Sequence, residues 1–204
     1  VYTYPYDKLT DRYIRLGYSW RSGNLLKNSL LSHSFIMLSS IKLPTGQIKL
    51  VELSNKALEA LGKEKNHGNR PGGLEHEYWK HRVAEHYKSK GYQVQKEYPI
   101  GEGKTVDVVA SKNGQKIAIE VETGKSNVEG NIRKCLDYRF EKVVCFVLNE
   151  EIQNKLSKLT DNNAVKFVNP KSLIGEKATS KDQRANRINT TYSESNKNQT
   201  RNDV

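Results

Sequence analysis

Apolar residues recur along this chain with helical spacing in some stretches and with strand-like alternation in others. In residues 1–62 this pattern predicts helices over 9–17 and 19–33, strands over 36–43 and 47–53, and a helix over 55–61. Four leucines give the second helix an apolar stripe, which we expect to face a core: Leu25, Leu26, Leu30 and Leu31. Residues 63–73 are expected to form a linker, since they offer no core material and their three glycines and one proline break any element.

Turn and capping residues separate these first elements. Pro44-Thr45-Gly46 forms the turn between the two strands, and Ser54 is a suitable N-cap for the last helix, which Gly62 closes. The order helix, helix, hairpin, helix resembles a winged-helix DNA-binding module that lacks its first helix. We therefore expect the chain to be part of something longer. The alternative is a small α+β module that makes no contact with DNA.

Residues 74–175 contain a second group of elements. The pattern predicts a helix over 74–90, strands over 92–98, 105–111 and 116–122, a helix over 126–140, a strand over 143–148, a helix over 150–159 and a strand over 165–168. The run 143–148 is uninterruptedly apolar, which is typical of a strand that is covered on both faces. The order is thus α-β-β-β-α-β-α-β. The polar residues 176–204 are expected to be a disordered tail.

Carboxylates stand at unexpected places in two of these strands. In the strand 116–122, Glu120 and Glu122 share one face, because residues two apart in a strand point the same way. Two like charges on a core strand repel each other, and their burial is costly without a partner. A divalent cation is one natural partner.

Asp107 lies between valines in the preceding strand, although Asp is depleted from strands. The tight turn Asn113-Gly114 makes the two strands antiparallel neighbours. We expect Asp107, Glu120 and Glu122 to converge at one edge of the sheet. Oxygen ligands of this kind suit Mg²⁺ or Mn²⁺. The alternative is a set of salt bridges to nearby Lys or Arg.

The placement of Asp107 and, thirteen residues later, Glu120-Val121-Glu122 within the order α-β-β-β-α-β resembles the PD-(D/E)xK nuclease superfamily. The helix that begins Gly73-Leu74-Glu75-His76-Glu77-Tyr78-Trp79 is similar to the first helix of archaeal Holliday-junction resolvases and related restriction-type enzymes. The resemblance implies a restriction-endonuclease-like α/β core, in which helices flank a mixed central sheet, with the small winged-helix-like α+β module before it.

The same resemblance implies a metal-dependent DNA endonuclease that hydrolyses phosphodiester bonds and acts on a junction or as a restriction-type enzyme. Asp107 and Glu120 would bind Mg²⁺ or Mn²⁺, and Glu75 on the first helix would assist. Glu75 is chosen because helical spacing places it on the packed side, whereas Glu77 falls on another face. Many relatives act as dimers, so a homodimer is expected by analogy alone.

One position departs from the superfamily pattern, because Glu122 stands where the usual triplet has Lys. Either Glu122 or Lys125 would then position the attacking water. The departure leaves a second reading open: a catalytically inactive nuclease fold that binds DNA, as a regulatory or targeting part of a larger DNA-processing chain or complex.

The charge balance agrees with a nucleic-acid partner, since 34 Lys and Arg stand against 23 Asp and Glu, for a net charge of +11. Asn131 on the helix after the carboxylate strand is the best candidate for contact with DNA, together with Lys134, Arg21 and Lys27. A solvated helix face is the alternative for that helix.

Other classes of function find little support in the sequence. No apolar window or leader-like start indicates a membrane partner or secretion, and the two cysteines lie in apolar stretches, so we expect a cytoplasmic protein with reduced thiols. Gly103-Lys104-Thr105 and Gly124-Lys125-Ser126 lack the earlier glycine of a P-loop. His76 and His81 stand five apart, which excludes a zinc-protease helix, and we expect them, like His86, at surface or half-buried positions.

Overall fold

The computed structural model describes residues 3–63, 73–124, 127–157 and 162–174. The described residues up to Pro170 form one compact unit, and those from Lys171 onward belong to a second. Most of the expected linker 63–73 and the whole expected tail 176–204 lie outside the described residues.

The first group of elements follows the order that the sequence predicts. It comprises α1 (Leu9–Arg15), α2 (Trp20–Ser32), β1 (Ile36–Leu43), β2 (Gly46–Leu53) and α3 (Asn55–Ala60). The strands β1 and β2 pair antiparallel in a separate two-stranded sheet. Ser54 caps α3 as predicted, since its side chain accepts a hydrogen bond from the amide of Ala57 at 3.1 Å. A corresponding cap at Ser19 begins α2.

The predicted apolar stripe of α2 is covered only in part, because Leu30 and Leu31 are half-buried whereas Leu25 and Leu26 are exposed. Leu25 is 65% exposed, and the residue that α2 buries is Gly23, which lies against the ring of Tyr13 on α1. A Cβ added at Gly23 would lie 2.5 Å from two atoms of that ring. Helical spacing defines an apolar stripe, but which face is covered depends on where the neighbouring helix approaches. Here α1 meets the first turn of α2 through the glycine.

The second group contains the elements of a mixed α/β fold. They are α4 (Gly73–Ser89), β3 (Gln93–Gly101), β4 (Lys104–Lys112), β5 (Gln115–Glu122), α5 (Val128–Asp137), β6 (Lys142–Val147), α6 (Glu150–Ser157), β7 (Val165–Val168) and α7 (Pro170–Ile174). All the predicted elements are present, and α7 is an addition. The helix α5 begins after the N-cap Asn127, and the expected cap Ser126 lies outside the described residues.

In the described part of the chain, β3 to β7 form a five-stranded mixed sheet in the order β3-β4-β5-β6-β7. The first three strands are antiparallel, and β5, β6 and β7 are parallel. The turn between β4 and β5 has positive φ angles at Asn113 (52°) and Gly114 (81°), as the predicted hairpin requires.

Helices cover both faces of this sheet. Trp79 of α4 packs its ring against Phe146 of β6, with centroids 5.4 Å apart. Ile132 of α5 packs with Cys145, the preceding residue of β6. Because adjacent residues of a strand point to opposite faces, α4 and α5 lie on opposite sides of the sheet. This explains the unbroken apolar run of β6. Among the described residues, no helix is long and apolar enough to cross a membrane.

Candidate functional site

The strands β4 and β5 separate at the end opposite their hairpin turn. Their pairing runs from the turn to Val108 opposite Ile119 and ends there. Beyond that point, β4 continues to pair with β3, and residues 120–122 of β5 pair with β6. The same register would place Asp107 opposite Glu120, so both carboxylates stand where the two strands part. We call this place the strand fork.

The side chain of Asp107 replaces a backbone hydrogen-bond acceptor at the strand fork. Its Oδ2 accepts a hydrogen bond from the amide of Val121 at 2.8 Å, where a strand ladder would supply a carbonyl. The same oxygen lies 3.1 Å from Nε2 of His76, which reaches the fork from α4. The two contacts fix the position of one carboxylate oxygen.

Glu120 is buried on the other side of the fork, with 2% of its surface exposed. Its Oε1 lies 3.1 Å from Nζ of Lys134 and accepts a longer contact, 3.4 Å, from the thiol of Cys135. Burial and the nearby charge of Asp107 raise the pKa of Glu120 to about 8, although Lys134 acts in the opposite direction. One lysine therefore offsets only part of the cost of holding this carboxylate charged beside Asp107.

Glu122 is the most enclosed of the three carboxylates, with 0% of its surface exposed. Its Oε1 accepts a hydrogen bond from Nδ2 of Asn131 at 2.9 Å. Asn131 and Lys134 stand three residues apart on α5 and so share a helix face. One face of α5 thus supplies a polar partner to each glutamate.

The three carboxylates do not form the cluster that the sequence predicts. Asp107 and Glu120 flank the fork, whereas Glu122 is hydrogen bonded to α5. Within the described ranges, no group of three or more His, Cys, Asp or Glu side chains has the arrangement needed to hold a metal ion. The three carboxylates lie on the strands that the sequence predicts. Their side chains contact partners on α4 and α5, however, and these contacts determine where each carboxylate group lies.

The contribution of α4 also differs from the prediction. Glu75 is exposed rather than on the packed side, and His76 is buried, with 9% of its surface exposed, rather than at a surface or half-buried position. The inward face of α4 runs through His76, Trp79 and Val83, at helical spacing, and Glu75 precedes it. Glu75 and His76 flank the direction of Trp79 and Val83 on the helix, so helical spacing alone does not choose between them.

A chain of charged groups leads away from His76. Its Nδ1, which has no hydrogen-bond partner, lies 3.9 Å from Glu77, and Glu77 accepts a hydrogen bond of 2.7 Å from the buried Lys80. Lys80 also pairs with Glu97 of β3. Burial opposes the charged imidazole, but interactions with Asp107 and Glu77 outweigh it and raise the pKa of His76 to about 9. Burial likewise opposes the charge of Glu77, but His76 and Lys80 lower its pKa to about 2.

The remaining predicted residues are not part of this arrangement. Lys125 lies outside the described residues. Arg21 is exposed on α2, and Lys27 of the same helix donates a hydrogen bond to Asn24 at 3.1 Å. None of the contacts at the strand fork given above involves either residue.

A cleft opens beside the strand fork, between residues 100–105 around the β3–β4 turn and residues 130–138 of α5. We call it the α5 cleft, and its volume is about 640 Å³. Asn131 and Lys134, the partners of the two glutamates, form part of its wall. Lys104, Arg133 and Tyr138 also line it, so the cleft combines basic groups with an aromatic ring.

Comparison with known proteins adds little to this geometry. No protein-family model matches the chain, and no curated protein matches it. One similar solved structure is described as "Crystal Structure of Protein of Unknown Function AF1548". It is 16% identical, the match covers 46% of this chain and 57% of that chain, and the TM-score is 0.36. This likeness assigns no activity to the chain.

Proposed function

We propose that this protein is a metal-dependent DNA endonuclease of the PD-(D/E)xK superfamily, with a restriction-endonuclease-like core and a winged-helix-like module before it. The observation that carries the proposal is the pair Asp107 and Glu120, which flank the point where two paired strands separate. A pair of acidic groups held where two strands part, beside a cleft that contains lysine and arginine side chains, is suited to phosphodiester hydrolysis.

The two carboxylates at the fork support a divalent cation as ligand. Burial and the nearby charge of Asp107 raise the pKa of Glu120 to about 8, so a cation bound between the two carboxylates would favour the charged form of Glu120. Mg²⁺ commonly takes one or two protein carboxylates and completes its shell with waters and substrate phosphates. Asp107 and Glu120 would hold Mg²⁺ or Mn²⁺. The ion would polarise the phosphodiester and lower the pKa of the attacking water.

Lys134 takes the place of the lysine that the superfamily triplet lacks here. Its Nζ lies 3.1 Å from Glu120, although it comes from α5 rather than from β5. Glu122 carries no positive charge and is engaged with Asn131. In this proposal Lys134 stabilises negative charge that develops on the phosphate. Its earlier assignment to DNA binding is thereby replaced by a role at the reacting group.

The proposed substrate is DNA, bound along the α5 cleft. Lys104 and Arg133 line this cleft and would neutralise phosphates, in a chain whose net charge is +11. Such contacts release counterions, so affinity should fall steeply as salt rises. A homodimer and a place in a larger DNA-processing complex are proposed by analogy alone.

A second function is favoured by Glu122. A fully buried glutamate that is hydrogen bonded to Asn131 occupies the position where the superfamily triplet has Lys. An inactive nuclease fold that binds DNA without cutting it would tolerate this exchange. In that case Asp107 and Glu120 would stabilise the fold, Asp107 through its contacts with His76 and Val121 and Glu120 through its contact with Lys134.

Cleavage assays distinguish the two functions. Plasmid, linear, single-stranded and four-way-junction DNA are incubated with Mg²⁺, Mn²⁺ or EDTA, and the wild-type protein is compared with Glu120→Gln. Glu129→Gln is the matched control, because Glu129 is an exposed glutamate on α5. Metal-dependent cutting that only Glu120→Gln abolishes supports the nuclease. Salt-sensitive binding without cutting on any substrate supports the inactive module.

A further inference from the structure

Tyr138 presents an exposed aromatic ring in the α5 cleft. It is the C-cap residue of α5 and stands four positions after Lys134, so the two side chains share a face of the helix, one turn apart. Tyr138 is 44% exposed and lines the same cleft as Lys134. An aromatic ring thus stands one helical turn from the lysine that contacts Glu120.

The ring is supported from behind. It lies tilted against Phe140, with centroids 5.2 Å apart, and edge-on to Tyr98 at 6.4 Å. Phe140 is buried in the core beneath the sheet. These neighbours already restrict the motion of the ring. A planar ligand that stacks on its exposed part therefore costs little additional side-chain conformational entropy.

The cleft is large enough for a nucleotide, with a volume of about 640 Å³. Pockets of a few hundred cubic ångströms take ligands of nucleotide size. A duplex also keeps its base faces stacked inside the helix, where no protein ring reaches them.

The charges of the wall suit a phosphate beside that base. Lys104, Arg133 and Lys134 line the cleft together with the acidic Glu102 and Asp137. Lys104 pairs with Glu102 at 2.9 Å and Lys134 with Glu120, which leaves the exposed Arg133 as the cation best placed to meet a phosphate. An arginine and an aromatic ring together are the elements with which proteins bind single strands.

We infer that the α5 cleft takes an unpaired nucleotide of a DNA strand, with its base stacked on Tyr138. This inference rests on the proposed nuclease function for its choice of DNA, and it names the substrate class as single-stranded DNA or a single-stranded segment such as a flap. The stacked base holds the adjoining phosphate against the wall of the cleft that contains Lys134, the lysine that contacts the buried Glu120.

Binding in EDTA tests the inference without any cleavage. Fluorescence anisotropy measures the Kd of a labelled oligothymidine and of a blunt hairpin duplex for the wild type, Tyr138→Ala, Tyr138→Leu and Tyr138→Phe. Loss of base stacking on one ring is expected to weaken single-strand binding roughly 5- to 150-fold. Tyr138→Ala and Tyr138→Leu should show that loss, whereas Tyr138→Phe retains the ring and should bind within about twofold of the wild type.

Tyr18→Ala is the matched control, because Tyr18 is 43% exposed but lies in the first group of elements, outside the cleft. Because it lies outside the cleft, it should not lower single-strand affinity more than duplex affinity. If Tyr138→Ala does not fold, Tyr138→Leu decides the question, since leucine keeps the apolar contact with Phe140. The inference is overturned if Tyr138→Leu binds the single strand as the wild type does, if Tyr138→Phe loses as much as Tyr138→Leu, or if duplex binding falls equally.

The binding and cleavage assays together distinguish a failure of this inference from a failure of the proposed nuclease function. Ring-dependent single-strand binding with no cleavage under any metal condition would leave the cleft intact and overturn the nuclease. Metal-dependent cleavage that Glu120→Gln abolishes, with duplex preferred and Tyr138→Leu fully active, would establish the nuclease and overturn the role of Tyr138.

Discussion

His76 on α4 and Asp107 on β4 are joined by a contact of 3.1 Å between Nε2 and Oδ2, across the open end of the paired strands. The contact links a helix to the strand fork through two residues that are 31 positions apart in the sequence. Its strength depends on charge, and therefore on pH.

Replacement of His76 by Gln should destabilise the protein in a pH-dependent way. The folded-state pKa of about 9 lies above the ordinary value of 6.5, so the histidine's contribution is fully present below pH 6.5 and is lost as pH rises through 9. We expect a loss of roughly 1–3 kcal/mol in the free energy of unfolding near pH 6. Urea unfolding at pH 6 and pH 9.5 measures it, with His86→Gln as the control. An equal loss at both pH values would contradict the charged contact.

Glu120→Gln should stabilise the metal-free protein at high pH. The pKa of Glu120 in the folded state, about 8, lies above its ordinary value of 4.5, so the wild type loses stability as pH rises from 4.5 through 8. The amide has no charge to bury and escapes this loss. We expect the variant to have the higher Tm at pH 9 in EDTA and a Tm close to that of the wild type at pH 4.5. A lower Tm at pH 9 would show that the pair with Lys134 outweighs the burial of charge.

Divalent metal should raise the Tm of the wild type and not that of Glu120→Gln. A ligand that binds only the folded state stabilises by about 2.7 kcal/mol at a concentration of 100 times its Kd. Thermal melting with millimolar Mg²⁺ or Mn²⁺, against EDTA, measures the shift at pH 7.5. Glu129→Gln should respond as the wild type does. A shift of equal size in Glu120→Gln would place the metal elsewhere.

Lys134→Gln should separate cleavage from binding. Loss of a single preorganised donor at a developing negative charge typically lowers the rate about 10²- to 10³-fold. Because Lys134 contacts Glu120 and is only partly exposed, we expect the Kd for DNA in EDTA to change less than about threefold, in keeping with one lost phosphate contact at most. Arg133→Gln is the neighbouring control, and it should weaken binding more than it slows cleavage. The reverse order would assign Lys134 to the DNA backbone.

Gly23→Ala should destabilise the first group of elements. A Cβ at this position would meet the Tyr13 ring at 2.5 Å, so the helices α1 and α2 must move apart. Overpacking of this kind typically costs about 1–3 kcal/mol. Asn28→Ala at an exposed position of α2 is the control. The double variant Tyr13→Leu with Gly23→Ala should recover part of the loss, and strict additivity in chemical denaturation would contradict direct contact.

Local signals predict the elements of this protein well, because those signals act over a few residues. The Asn113-Gly114 turn, the cap at Ser54 and the apolar run of β6 are each read from a few neighbouring residues, and the structure has all of them. The positions of Asp107 and Glu120 on neighbouring strands followed from the hairpin alone.

The partners of the carboxylates were harder to predict, because they come from distant segments. Lys134 was assigned to DNA, and His76 to a surface or half-buried position, whereas the structure places each beside a carboxylate of the fork. Helical periodicity alone does not state how α4 and α5 are rotated against the sheet. That rotation placed Glu75 in solvent and His76 at the fork.

One oxygen atom of Asp107 receives both of that side chain's described bonds, from the amide of Val121 and from His76. The uncharged amide of asparagine also carries one such oxygen, so Asn at position 107 would satisfy the same two donors. The two hydrogen bonds around the fork therefore require an acceptor at this position, whereas the negative charge acts on the fold through the protonated His76. Asp107→Asn keeps the acceptor and removes the charge, so it separates these two contributions to the free energy of unfolding.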